Sequence, residues 1–133
     1  MLQRFVYGAV FVKDQDRAFD FYTKILGFAK GVEGPRPASG APRFLTVGLE
    51  GQDFQLALWP GTPGIGQPSP QGHIPGTYTI ETTDCRQAFE QLTSRGVEFE
   101  TGVLEFPWGY VAVFLDPDGN RLQVRQLRQT GAA

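Results

Sequence analysis

"VYGAVFVKDQDRAFDFYTKILGF", residues 6–28, changes its period once, and that change decides the fold. Val6, Val10 and Val12 fall on one side of an extended chain and Tyr7, Ala9 and Phe11 on the other, the alternation of a strand. From Asp14 onward the spacing becomes helical: Ala18, Phe19, Tyr22, Ile25 and Leu26 recur at three- and four-residue steps. Asp14 suits the helix N-cap, because its carboxylate can accept from the unpaired N–H groups of the first turn. Gly27 suits the helix end, where a left-handed residue is needed. Strands are then expected at about 28–33, 43–50 and 53–59, with "GPRPASGAP", 34–42, as a loop.

The second half repeats this order. "GTYTIETTD", 76–84, reads as a strand ending in the cap Asp84, and "CRQAFEQLTSRG", 85–96, as a helix closed by Gly96. Further strands are expected near 97–101, 109–116 and 120–127. Asp14, Ala18 and Phe19 reappear as Asp84, Ala88 and Phe89, at a constant offset of 70. "VGLEGQDFQL", 47–56, faces "VFLDPDGNRLQV", 113–124, with two extra residues in the second turn. The chain therefore reads as one α+β domain over 1–133, built from two tandem β-α-β-β-β modules at about 4–59 and 76–127. The proline- and glycine-rich stretch 60–75 links them.

The net charge is −2 and there is no basic run, which argues against nucleic acid or an anionic membrane surface as a partner. No apolar stretch approaches the roughly 20 residues of a membrane span. One cysteine excludes an internal disulfide. "MLQRFVYGAVFVKDQD" runs into a charged helix start with no signal-peptide cleavage pattern. A soluble, cytoplasmic protein is expected.

"KDQDRAFDFYTKILGF", 13–28, resembles the first helix of the vicinal oxygen chelate superfamily, and "DCRQAFEQLTSRGVEF", 84–99, resembles its second. "PWGYVAVFLDPDGNRLQV", 107–124, is similar to its C-terminal signature. The likeness covers about 5–127. That superfamily holds glyoxalase I, extradiol dioxygenases, fosfomycin-modifying enzymes and bleomycin resistance proteins, so it names a scaffold rather than a substrate. It implies concave mixed sheets around a central cavity, helices outside, and pairing into a homodimer. In metal-binding members, ligands come from the first and last strand of each module. Carried over, those positions are Tyr7, Gln55, Thr77 and Gln123, a set without imidazole or carboxylate. Divalent ions need such donors to offset lost hydration, so the resemblance here implies neither a metal nor another cofactor.

Strand alternation is expected to send Val47, Leu49, Val113 and Leu115 towards the helices. It would turn Phe44, Thr46, Tyr110 and Phe114 to the opposite face, with Tyr7, Phe11, Gln55, Trp59, Gln123 and Arg125. Trp108 is expected at the mouth of the cup, where Pro107 and Gly109 let it fold inward. Aromatic walls with a few hydrogen-bonding groups and one cation are typical of a small-molecule pocket. The expected ligand-binding residues are Tyr7, Phe44, Gln55, Trp59, Thr77, Trp108, Tyr110, Gln123 and Arg125. Glu81 shares a face with Thr77 and Thr79 and is the candidate catalytic carboxylate.

The leading reading is a metal-independent protein that binds a planar or aromatic ligand in the cup. Two others stay open. One is an enzyme: a lyase or dioxygenase with a divalent metal, or an isomerase using Glu81 or Tyr7 as acid–base. The other is a domain that only mediates assembly. His73 lies in the linker and reads as a solvated histidine. Cys85 opens the second helix beside Asp84 and reads as structural. "DPDG", 116–119, is a turn and not a calcium loop, because the twelfth position from Asp116 is Leu127 where a glutamate is required.

Overall fold

A computed structural model describes residues 1–38, 40, 42–61 and 78–128. The chain divides into two compact units, Met1–Pro63 and Gly64–Ala133.

The first unit runs β1 (Tyr7–Val12), α1 (Gln15–Asp20), β2 (Ala29–Glu33), β3 (Leu45–Gly48) and β4 (Gln55–Pro60). Asp14 caps α1 as expected, its carboxylate accepting from the backbone N–H of Asp16 at 2.9 Å and of Arg17 at 3.1 Å. The helix widens into a π-helical turn over Phe21–Ile25, in which Leu26 N–H donates to the Phe21 carbonyl at 3.1 Å. Gly27 then turns the chain out with φ +84°, a conformation that costs a residue with a Cβ. The sheet order is β1-β4-β3-β2, with β1 parallel to β4 and the other neighbours antiparallel.

Burial separates the two faces of this sheet. Val10, Val12, Leu45, Val47, Leu56 and Leu58 are at most 5% exposed and share one face. They form the core with Ala18, Phe21 and Tyr22, which are also buried. Arg43, 5% exposed, ties the start of α1 to β2. Its Nε donates to Glu33 at 3.0 Å and its Nη2 to Asp16 at 2.7 Å, and Asp16 also receives Arg36 at 2.7 Å. Those hydrogen bonds hold the carboxyls of Asp16 and Glu33 below their ordinary values, Arg43 being the largest cause for each.

The second unit runs β5 (Tyr78–Glu81), α2 (Cys85–Ser94), β6 (Glu98–Phe99), β7 (Leu104–Phe106), β8 (Gly109–Leu115) and β9 (Arg121–Leu127). Asp84 caps α2 by accepting from Gln87 N–H at 3.0 Å. The sheet order is β5-β9-β8-β6, with β7 also on β8, and β5 is parallel to β9 as β1 is to β4. Phe89 of α2 meets Phe99 at 4.6 Å between ring centroids, and Phe99 meets Phe114 at 5.5 Å. Leu122, Val124, Phe114 and Ala112 therefore form the face that α2 covers.

The α+β class and the repeated element order match the expectation. Two strands differ. The segment expected at 97–101 pairs only as Glu98–Phe99. There the Thr101 hydroxyl accepts from Val113 N–H at 3.0 Å, replacing a ladder bond. β7 was not expected; its three residues form a hairpin with β8 through Pro107 and Trp108.

Candidate functional site

In the first unit the register sets Tyr7 beside Gln55, Ala9 beside Ala57 and Phe11 beside Trp59. On the other side of β4, Thr46 is paired with Ala57 and Gly48 with Gln55. Paired residues point to the same side of a sheet, so Tyr7, Thr46, Gln55 and Trp59 share the face opposite the core. The Phe44 ring meets Tyr7 edge-on at 5.3 Å. Tyr7 and Trp59 are 53% and 37% exposed, a surface on which an aromatic molecule could stack. The Gln55 carboxamide is fixed: its oxygen accepts from the Thr46 hydroxyl, which in turn accepts from Val32 N–H at 2.8 Å. Gly31 makes the space for this pair, since a Cβ there would collide with Gln55 Oε1 and Thr46 Oγ1.

In the second unit β5 and β9 pair Thr79 with Gln123 and Glu81 with Arg125. β8 adds Val113 beside Gln123 and Val111 beside Arg125. Gln123 is 5% exposed, and among the described residues its side-chain oxygen has no hydrogen-bond partner. Arg125 Nη2 donates to Glu81 at 3.2 Å, while Arg125 Nε is buried and unpartnered among the described residues.

This register corrects the expected facing of β8. Tyr110 and Phe114 lie on the α2 face, not with Gln123. Tyr110 is flanked by the guanidinium groups of Arg86 at 5.8 Å and Arg128 at 5.0 Å. Val113 and Leu115 take the face that Tyr110 and Phe114 were expected to take. Trp108 is 39% exposed and stacks on Phe106 at 5.5 Å, with the rings 3° from parallel. Thr77 and His73 lie outside the described residues. Thr79, which the constant offset passed over as the counterpart of Tyr7, is the residue paired with Gln123. Only the strand register identifies it.

Glu81 lies on the Gln123 face, exposed and bonded to Arg125. Cys85 is buried, and burial together with the Asp84 charge pushes its thiol above the ordinary value. Asp116 spends its carboxylate on its own turn, accepting from Asp118 N–H and Asn120 N–H at 2.9 Å and from the Asn120 side chain at 2.8 Å. Among the described residues no group of three or more His, Cys, Asp or Glu side chains is placed to hold a metal ion. Of the positions that the resemblance carried over, those described offer a phenol at Tyr7 and amides at Gln55 and Gln123, and the Gln55 oxygen is already engaged. A divalent ion fits that donor set poorly. A cleft of about 470 Å³ opens elsewhere in the first unit, beside Lys13, Asp16, Arg36 and Arg43. Asp16 there pairs with both Arg36 and Arg43. No helix among the described residues is long and apolar enough to cross a membrane.

Residues 4–124 match the family model of the Glyoxalase/Bleomycin resistance protein/Dioxygenase superfamily. Among solved structures, the chain is similar to TnmS3, an antibiotic binding protein from Streptomyces sp. CB03234. The two are 30% identical with a TM-score of 0.75, covering 96% of this chain and 98% of that one. A glyoxalase/bleomycin resistance protein from the same Streptomyces is 31% identical with a TM-score of 0.69, over 92% of this chain and 100% of that one. YurT of Bacillus subtilis (strain 168), an uncharacterized protein, is 31% identical over 133 residues, or 92% of this chain and 98% of YurT.

Proposed function

We propose that this chain, which belongs to the Glyoxalase/Bleomycin resistance protein/Dioxygenase superfamily, is a metal-independent binding protein for a flat or aromatic small molecule. The observation that carries the reading is the pair of glutamines at matching register positions. Gln55 lies beside the first strand of its sheet and Gln123 beside the first strand of the other. At the positions where the family's enzymes hold an ion, this chain has neutral amides. They suit hydrogen bonding to an organic ligand better than metal coordination. The exposed rings of Tyr7 and Trp59 and the Arg125 cation support the same reading, as does the likeness to an antibiotic binding protein.

The candidate ligand-binding residues are Tyr7, Phe44, Gln55 and Trp59 in the first unit and, in the second, Trp108, Gln123 and Arg125, with Thr77 a further candidate. Tyr110 leaves the proposed set because it faces α2. The protein would work in the cytoplasm as a two-fold homodimer, as small superfamily members commonly do. The rival is an enzyme in which Glu81 acts as acid–base, favoured by its place on the Gln123 face.

Metal retention separates the binder from a metalloenzyme. Protein incubated with zinc, nickel, manganese or iron(II) and then desalted is expected to keep well under one ion per chain. Stoichiometric retention that disappears in the Gln55→Ala/Gln123→Ala double variant would contradict the metal-free reading.

A further inference from the structure

The two glutamines occupy matching places but differ in state. The Gln55 oxygen is satisfied within its own sheet, because Thr46 donates to it. Thr46 lies on β3 opposite Ala57, two residues after Gln55. The matching place in the second unit is on β8 opposite Arg125, two residues after Gln123, and it holds Val111. Valine has the shape of threonine without its hydroxyl. The substitution leaves Gln123 Oε1 buried with no partner among the described residues. A buried carbonyl without a donor is costly in a folded protein, and such atoms are few in native structures.

Two residues along the same face, Arg125 has a second unmet group. Glu81 holds its Nη2 at 3.2 Å, which orients the guanidinium, while its Nε is buried and unpartnered among the described residues. An unmet acceptor and an unmet donor thus stand side by side on β9, their Cα atoms about 7 Å apart at strand spacing.

We infer that the molecule taken up on this face is an aromatic acid or amide carrying an O–H or N–H donor. The donor goes to Gln123 Oε1, and the acid or amide oxygen accepts from Arg125. The inference rests on the ligand-binding reading above and adds a demand that reading does not make: stacking alone does not satisfy the site. Val111 keeps the Gln123 oxygen available, where Thr46 keeps the Gln55 oxygen occupied and leaves its NH2 free to donate.

The test is calorimetric titration of the full chain with 6-hydroxy-2-naphthoate, its methyl ether 6-methoxy-2-naphthoate, and 2-naphthoate. The hydroxy compound is expected to bind about tenfold more tightly than the ether, the size of one hydrogen bond to an otherwise unmet acceptor. That ratio should fall to near one in Gln123→Met, which removes the acceptor. It should also fall in Val111→Thr, which supplies the hydroxyl that Thr46 supplies to Gln55. If all three compounds bind the native protein equally, or the ratio survives in Gln123→Met, the donor requirement is wrong and ligand binding stands. If none binds, both readings fall. A ligand-free measurement checks the premise independently: Gln123→Met should melt at or above the native temperature. A fall of several degrees would mean that the Gln123 oxygen already has a partner, a fixed water or a chain group, and would overturn the inference.

Discussion

Arg125 and Glu81 are register partners on parallel strands, joined at 3.2 Å between Nη2 and Oε1. Both are substantially exposed, with side chains 38% and 67% accessible, so the pair contributes under about 1 kcal/mol to folding. Its main effect is on orientation, holding a cation against the face where Gln123 lies.

Replacing Arg125 with Gln should therefore change ligand preference and hardly change stability. The native protein is expected to bind 2-naphthoate more tightly than neutral 2-naphthamide, and Arg125→Gln should bind the two alike, with affinity for the amide nearly unchanged. Competition titrations with both compounds read this out. An unchanged preference for the acid would remove Arg125 from the site.

Thr46 is a structural keystone of the first sheet, accepting from Val32 N–H and donating to Gln55. Thr46→Val keeps the volume and leaves both partners unmet in a position only 1% exposed. The expected loss is about 2 kcal/mol, or roughly 5–10 °C in melting temperature. Thermal unfolding of Thr46→Val and Thr46→Ser checks it, the serine variant retaining most of the stability.

The Arg43 network predicts a definite pH dependence. The carboxyls of Asp16 and Glu33 titrate below their ordinary values because Arg43 donates to both. A depressed carboxyl contributes stability that is complete above its unfolded value, about pH 4–4.5, and is lost as pH falls through the folded one. Melting temperature should thus owe nothing to this network's titration between pH 5 and 8 and should fall below about pH 4. In Asp16→Asn/Glu33→Gln that acid limb should be shallower. Coincident acid limbs for the two proteins would show that the network does not titrate as described.

Local chemistry made much of this fold readable. Asp14 and Asp84 both cap helices as their spacing implies, and Gly27 and Gly96 end them with positive φ. The face of β8 was not readable, for a physical reason. Val111, Val113 and Leu115 on one side and Ala112 and Phe114 on the other are apolar alike, so alternation carries no phase and only pairing with β9 decides it. The same pairing sets Thr79 beside Gln123, a neighbour that the constant offset from Tyr7 to Thr77 does not point to. β7 escaped notice because three residues are too few for a period. The state of the glutamines was also hidden, because it depends on what stands across the strand: Thr46 in one unit, Val111 in the other.

Trp59 and Trp108, both more than a third exposed, provide the most direct test of the central claim. Their emission should be followed while the protein, in excess EDTA, is titrated with anthraquinone-2-carboxylate, a flat anionic quinone. Metal-independent binding predicts saturable quenching at one molecule per chain and a rise in melting temperature of several degrees. At ligand a hundredfold above its dissociation constant, linkage supplies about 2.7 kcal/mol. Quenching that grows without saturating and leaves the melting temperature unmoved would contradict the account, as would a signal that disappears in EDTA and returns with zinc.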